Sequence, residues 1–203
     1  MIEFKSLVLE TDLKTPINQP CTFKMTFLNQ CLWICGENGS GKSTLLKSLA
    51  GVHSRWLGEL IHSYDQWAIA YLPQVHQLFF HFPVSLLDVI ELVYGDTVSS
   101  EMLETQPYLS KDLTKAWNQA SGGERQRALV AGTLLKKNSL TLLDEPFNHL
   151  DHRSITQMQK CLESFSSQNS LIVTSHDYPP TLSQEGFVQL KLHRADEVLG
   201  EFA

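Results

Sequence analysis

The sequence predicts an α/β fold: a mainly parallel sheet covered on both faces by helices, with antiparallel strands at its edge and a small helical subdomain. Three observations predict it. Residues 31–35, 139–143 and 171–174 are short, nearly uninterrupted apolar runs, the pattern of strands buried on both faces. Stretches with helical spacing separate them, and such alternation closes into a parallel sheet between helical layers. Residues 21–27 instead alternate, with Phe23, Met25 and Phe27 on one side, as expected of an edge strand with one wet face.

The elements follow in order. Residues 2–9 read as a first strand, and 12–20, with Pro16 and Pro20 among turn formers, as a loop. After the strand at 31–35, residues 44–50 read as a helix closed by Gly51. Residues 59–61 and 67–72 read as further strands. Ser85 and Asp88 have capping-box spacing and open a helix that runs to Tyr94, before Gly95. Residues 99–103 start another helix and 121–135 form the next. Beyond Asp151, Ile155, Met158, Leu162 and Phe165 repeat at helical spacing, as a core-facing stripe does. The last strand is read at 187–192. The expected division is one domain over 1–203, with a core of 1–73 and 120–203 and a helical subdomain of 74–119.

Composition bounds the function. A net charge of −6 gives the bulk surface no attraction for nucleic acid or anionic lipid. No run approaches the ~18 apolar residues needed to cross a bilayer, and acidic Glu3 without an apolar segment behind it does not read as a secretory signal. Cys21, Cys31, Cys35 and Cys161 lack metal-ligand spacing and read as thiols in a reducing compartment. His149 and His152 flank Asp151 but read as solvated turn residues rather than metal ligands.

Chemistry concentrates in Gly36-Glu37-Asn38-Gly39-Ser40-Gly41-Lys42-Ser43-Thr44, which fits the phosphate-loop pattern G-x-x-x-x-G-K-[ST] between a strand and a helix. Glycines let backbone N–H groups approach phosphate oxygens, and the following helix points its positive end at the same anion. Lys42 supplies a point charge for the β- and γ-phosphates, and the Ser43 hydroxyl a ligand for Mg²⁺. The strand at 140–143 ends in Asp144 and Glu145. Behind a phosphate loop, the first acid suits the metal shell and the second suits orienting or deprotonating a water.

Three further motifs complete a pattern: Tyr71-Leu72-Pro73-Gln74, Ala120-Ser121-Gly122-Gly123-Glu124-Arg125-Gln126-Arg127, and Thr174-Ser175-His176-Asp177. Together the five resemble those of the ATP-binding-cassette (ABC) ATPases over nearly the whole chain. The resemblance implies the phosphate-loop NTPase fold of that family, binding of ATP and Mg²⁺, and ATP hydrolysis. It gives Gly36 to Thr44 to the phosphates, Asp144 to the metal shell and Glu145 to catalysis. Gln74 would sense the metal and the attacking water, and His176 the γ-phosphate. Ser121, Gly122 and Gly123 would meet ATP held by a second cassette in a head-to-tail dimer, with a homodimer expected, and Leu150-Asp151 would end the D-loop, with Asp151 at the nucleotide.

The resemblance further implies a separate integral membrane subunit, a position on the cytoplasmic face of the inner membrane and no nucleic-acid partner. A soluble ABC switch on the ribosome or nucleic acid is the alternative, because Asn148-His149-Leu150-Asp151 is spelled as in that group. Gln74 followed by Phe82-Pro83-Val84-Ser85 and Asp88-Val89 resembles metal-ion importer cassettes, and compact length with Asp144-Glu145-Pro146-Phe147 resembles the haem exporter cassette of cytochrome c maturation. Family members stack adenine on an aromatic near the end of the first strand, and residues 7–11 offer none. Gly132 stands where family helices commonly carry Arg, at a helix-propensity cost of about 1 kcal/mol relative to Ala. Phe79, Phe80 and Phe82, with His76 and His81, are read either as core or as lining a groove for a short helix of the membrane subunit.

Overall fold

The structure, a computed structural model, describes residues 1–26, 30–74, 78–176 and 187–196. Its strands are β1 (Ile2–Leu9), β2 (Cys21–Met25), β3 (Cys31–Cys35), β4 (Trp56–His62), β5 (Ile69–Leu72), β6 (Leu140–Leu143), β7 (Ser170–Ser175) and β8 (Phe187–Lys191). The helices are α1 (Lys42–Leu49), α2 (Leu86–Tyr94), α3 (Ser100–Glu104), α4 (Gly122–Leu135) and α5 (His152–Ser166).

Two sheets form. The parallel sheet runs β5-β6-β7-β3-β8, and a three-stranded antiparallel sheet runs β2-β1-β4. The side-chain period of two sends each buried strand into two cores. Trp33, Leu143 and Val173 join one core with α2, α4 and α5, while Leu32, Ile34, Leu142 and Ile172 join the other with α1 and β1. On β2, Phe23 and Met25 turn inward, and Phe23 meets Phe4 at 6.0 Å between ring centroids. The third member of that face, Phe27, lies outside the described residues.

One strand expectation is corrected. Gln66–Ala68 is a 3-10 turn, so β5 starts at Ile69 rather than at Trp67. The Asp65 carboxylate accepts the Trp67 N–H at 3.1 Å and caps the turn, leaving the indole 93% exposed. Local side-chain capping outweighed the β propensity of Trp. Gly51 ends α1 as expected, at φ +72, with its N–H on Ser48 O and the Val52 N–H on Lys47 O, the two bonds of a Schellman motif.

Ser85 and Asp88 form the capping box of α2, whose Leu86, Val89 and Ile90 are buried with α4, Trp117 and Tyr108 in the first core. This contact explains Gly132 on α4. A Cβ there would lie 2.8 Å from Ile90 O and from Val93 Cβ. The propensity cost read from the sequence is thereby offset by close helix packing, since a backbone carbonyl cannot swing away as a flexible side chain can.

Candidate phosphate site

Every motif singled out around the phosphate loop follows the C-terminal end of a parallel strand: the loop after β3, Gln74 after β5, Asp144 and Glu145 after β6, His176 after β7. Parallel pairing therefore puts all of them at one edge of the sheet, the edge where open α/β sheets bind ligands. Cys35 pairs in register with Ser175, so His176, which is exposed, stands level with Gly36.

The loop makes a cradle. Gly36, Gly39 and Gly41 have φ of +157°, +85° and +95°. At Gly36 a Cβ would fall 2.5 Å from Leu192 O and from Ser40 Oγ, whereas the space beside Gly39 is open. Lys42 is buried, and its ammonium donates to Gly36 O at 2.7 Å and Glu37 O at 3.1 Å, folding the loop around it. Asn38, Gly39, Gly41, Lys42, Ser43 and Thr44 line a cleft of about 330 Å³ with Gln74, Glu145 and Ile17.

The two acids differ in their partners. Asp144 is 1% exposed; its Oδ1 accepts from Thr174 Oγ1 at 2.7 Å, while Oδ2 is buried without a hydrogen-bond partner among the described residues. A buried carboxylate oxygen left unpaired costs several kcal/mol, so it suits a hard cation, which oxygen ligands bind. Ser40 Oγ is likewise buried and unpaired, beside the loop glycines. These two atoms and the open glycine cradle fit a phosphate group with Mg²⁺.

Glu145 has φ +49, a left-handed conformation rare outside Gly, Asn and Asp. Its N–H donates to Thr174 Oγ1 at 2.9 Å. Oε2 accepts from Gln74 Nε2 at 2.9 Å and from Asn148 Nδ2 at 2.8 Å, and Oε1 lies 3.7 Å from Lys42 Nζ. Phe147 anchors the turn behind it by stacking on buried Trp33, centroids 5.5 Å apart. Gln74 and Lys42 thus meet Glu145 at the cleft, and Asp144 is joined to Glu145 through the Thr174 hydroxyl. Thr174, Asn148 and Ile17 join them without a sequence signal: a hydroxyl in an apolar strand, an amide in a turn and an aliphatic loop residue.

The segment around Ser121 does not line the cleft. Ser121 caps α4 in a capping box with Glu124, accepting from Glu124 N at 3.2 Å. The Lys115 ammonium at 2.8 Å, then the Ser121 N–H, hold the Glu124 carboxyl down at about 2. Gly123 packs on the neighbouring turn so closely that a Cβ would be 2.8 Å from His149 O. Asp151 caps α5, with Oδ1 accepting from Ser154 N at 2.9 Å and Oδ2 from Ser154 Oγ at 3.0 Å; Arg127 Nη1 donates to the same hydroxyl at 3.0 Å. These bonds, the backbone one first, keep the Asp151 carboxyl below the usual carboxylate range. Ser121, Gly122, Gly123 and Asp151 are therefore not among the residues that line the cleft; Ser121, Gly122 and Asp151 are exposed, whereas Gly123 is buried against the His149 turn.

Residues 23–148 match the family model described as ABC transporter. The chain belongs to the ABC transporter family. Among ABC relatives, a protein of Acinetobacter baylyi named zinc import ATP-binding protein ZnuC is 32% identical over 151 residues, covering 73% of this chain and 58% of its own length. The thiamine import ATP-binding protein ThiQ of Histophilus somni is 30% identical over 187 residues, covering 84% of this chain and 87% of its own. A solved Pyrococcus furiosus structure, described as a candidate ABC transporter ATP-binding protein, superposes with a TM-score of 0.77 at 24% identity, covering 94% of this chain and 96% of that one. At that identity the likeness speaks for the ABC ATPase fold alone. The chain spans about three fifths of the zinc-import relative. Among the described residues, no helix is long and apolar enough to cross a membrane.

Proposed function

We propose that the chain is the ATP-binding, ATP-hydrolysing subunit of a membrane transporter, closing head-to-tail with a second copy around two ATP molecules and Mg²⁺. The observation that carries the reading is the Glu145 carboxylate, pinned at the mouth of the phosphate cradle by Gln74 and Asn148 with Lys42 3.7 Å away. Gly36, Glu37, Asn38, Gly39, Ser40, Gly41 and Thr44 hold the phosphates with Lys42, and Ser43, Gln74 and Asp144 hold the metal. Magnesium, when bound, supplies neutralising charge to the phosphate oxygens. Glu145 orients the attacking water and takes its proton, and His176 donates to the γ-phosphate. Ile17, half-buried at the cleft wall, gives the base an aliphatic face in place of the missing aromatic. Ser121, Gly122, Gly123 and Asp151 complete the site of the other copy, which fits their absence from the lining of this chain's own cleft.

The membrane partner selects the substrate. Relatives named for zinc and thiamine import favour an importer, with this chain peripheral on the cytoplasmic face of the inner membrane. A groove of about 580 Å³ between residues 78–84 and Trp117 offers the docking surface. Phe79 and Phe82 are 78% and 65% exposed there, whereas Phe80 packs edge-on against Trp117 at 5.8 Å. Phe80 belongs to the packing, which leaves Phe79 and Phe82 as the exposed rings of this segment.

The test is purification of the tagged chain from detergent-solubilised native membranes. The expected result is an integral membrane protein in stoichiometric amount. Cosedimentation with ribosomes, and no membrane protein, would instead favour the soluble-switch alternative. Phe79→Ala and Phe82→Ala should weaken that complex by about 2 kcal/mol where the ring is an anchor, without lowering the thermal midpoint of the isolated chain. A lowered midpoint without weaker assembly would move the docking surface elsewhere.

A further inference from the structure

The Glu145 carboxylate is gripped through one oxygen. Oε2 accepts two amide N–H groups, from Gln74 at 2.9 Å and Asn148 at 2.8 Å, and two donors match the two lone pairs of that oxygen. Oε1 faces Lys42 at 3.7 Å in the cleft. An Asn in a turn commonly folds its side chain onto nearby backbone. Here the Asn148 N–H donates to Glu145 O at 3.3 Å, and its side-chain amide reaches the carboxylate instead. The left-handed φ of Glu145 carries a strain that persists only where the surroundings over-determine the position. Thr174 fixes its backbone, and the two amides fix its side chain.

We propose that Asn148 is a positioning residue for Glu145: with Gln74 it forms a two-amide clamp on Oε2 that reserves Oε1 for the attacking water. The inference rests on the catalytic reading of Glu145 given above. With Gln74 as its only amide donor, the carboxylate retains a rotation about its terminal bond, and the second donor removes it. Small misplacements of a reacting group cost rate far more than they cost binding.

Asn148→Ala and Asn148→Asp test it in the full chain with its native partner. The first removes the donor; the second keeps the shape but sets a negative charge against Oε2. The clamp predicts that turnover at saturating ATP falls by about tenfold in the alanine variant and further in the aspartate variant. Affinity for a non-hydrolysable ATP analogue stays within about twofold, and the thermal midpoint is unchanged, because the group acts on orientation rather than on binding. Normal turnover in both variants overturns the proposal. So does a loss that follows weaker analogue binding or a lower midpoint in both, which makes Asn148 a turn former only. Glu145→Gln is measured alongside. If it abolishes turnover while both Asn148 variants are normal, this inference alone fails; if it retains turnover, the catalytic reading fails and takes the clamp with it.

Discussion

Replacing Glu145 by glutamine is expected to cut ATP turnover by about 10²-fold or more, the usual scale for loss of a general base. Binding should survive. The amide occupies the volume of the carboxylate, and the phosphate contacts assigned to Lys42 and the loop backbone are untouched. Oε2 accepts Gln74 and Asn148 and Oε1 faces Lys42, so a neutral amide can keep an acceptor toward the clamp but cannot take a proton from water. With ATP bound and not cleaved, the head-to-tail dimer should accumulate and become visible by size-exclusion chromatography. Turnover like that of the native chain in the purified complex would remove Glu145 from the mechanism.

Ser121→Arg should abolish turnover as completely by a different route. Ser121 is exposed and bonds within its own capping box, outside the cleft that holds Lys42 and Glu145. A long cation at that point blocks the surface assigned to the other copy's nucleotide. ATP affinity of the single chain should change little, while ATP-dependent dimerisation is lost. Removing the serine cap costs about 1 kcal/mol, so the thermal midpoint drops only slightly. Weakened ATP binding by the monomer would show instead that Ser121 serves its own site.

Much of this was legible in the sequence, for identifiable reasons. The strands at 31–35, 140–143 and 171–174 were readable because a strand buried on both faces must be apolar throughout. The capping boxes of α2 and α4 were readable because side-chain spacing sets them locally. Strand order was not, because nothing local to β3 says that it lies between β7 and β8. The turn at Gln66–Ala68 was misread, since Trp67 looks like a strand residue until Asp65 is seen to cap it.

At the site, residues that belong to a spaced motif are readable from the sequence, and single residues that join them from elsewhere are not. The loop from Gly36 to Thr44 and the pair Asp144 and Glu145 announce themselves by spacing. Thr174 does not, although its hydroxyl joins both acids, because a threonine in an apolar strand has no distinguishing pattern. From the sequence alone Gly132 is only a helix weakness, and the passage of α2 beside it supplies the reason for it. Gly123, which the motif resemblance assigns to a phosphate, also meets a packing requirement from the His149 carbonyl.

In the proposed assembly the cradle of one copy is completed by Ser121 of the other, which does not line its own chain's cleft. The most direct measurement mixes two inactive variants, Lys42→Ala and Ser121→Arg, and assays ATP hydrolysis. In a head-to-tail mixed dimer one site carries both defects and the other carries neither. The account predicts that activity, absent from either variant alone, reappears on mixing and peaks near equal proportions. No recovery at any ratio, with mixed dimers shown to form, would contradict it.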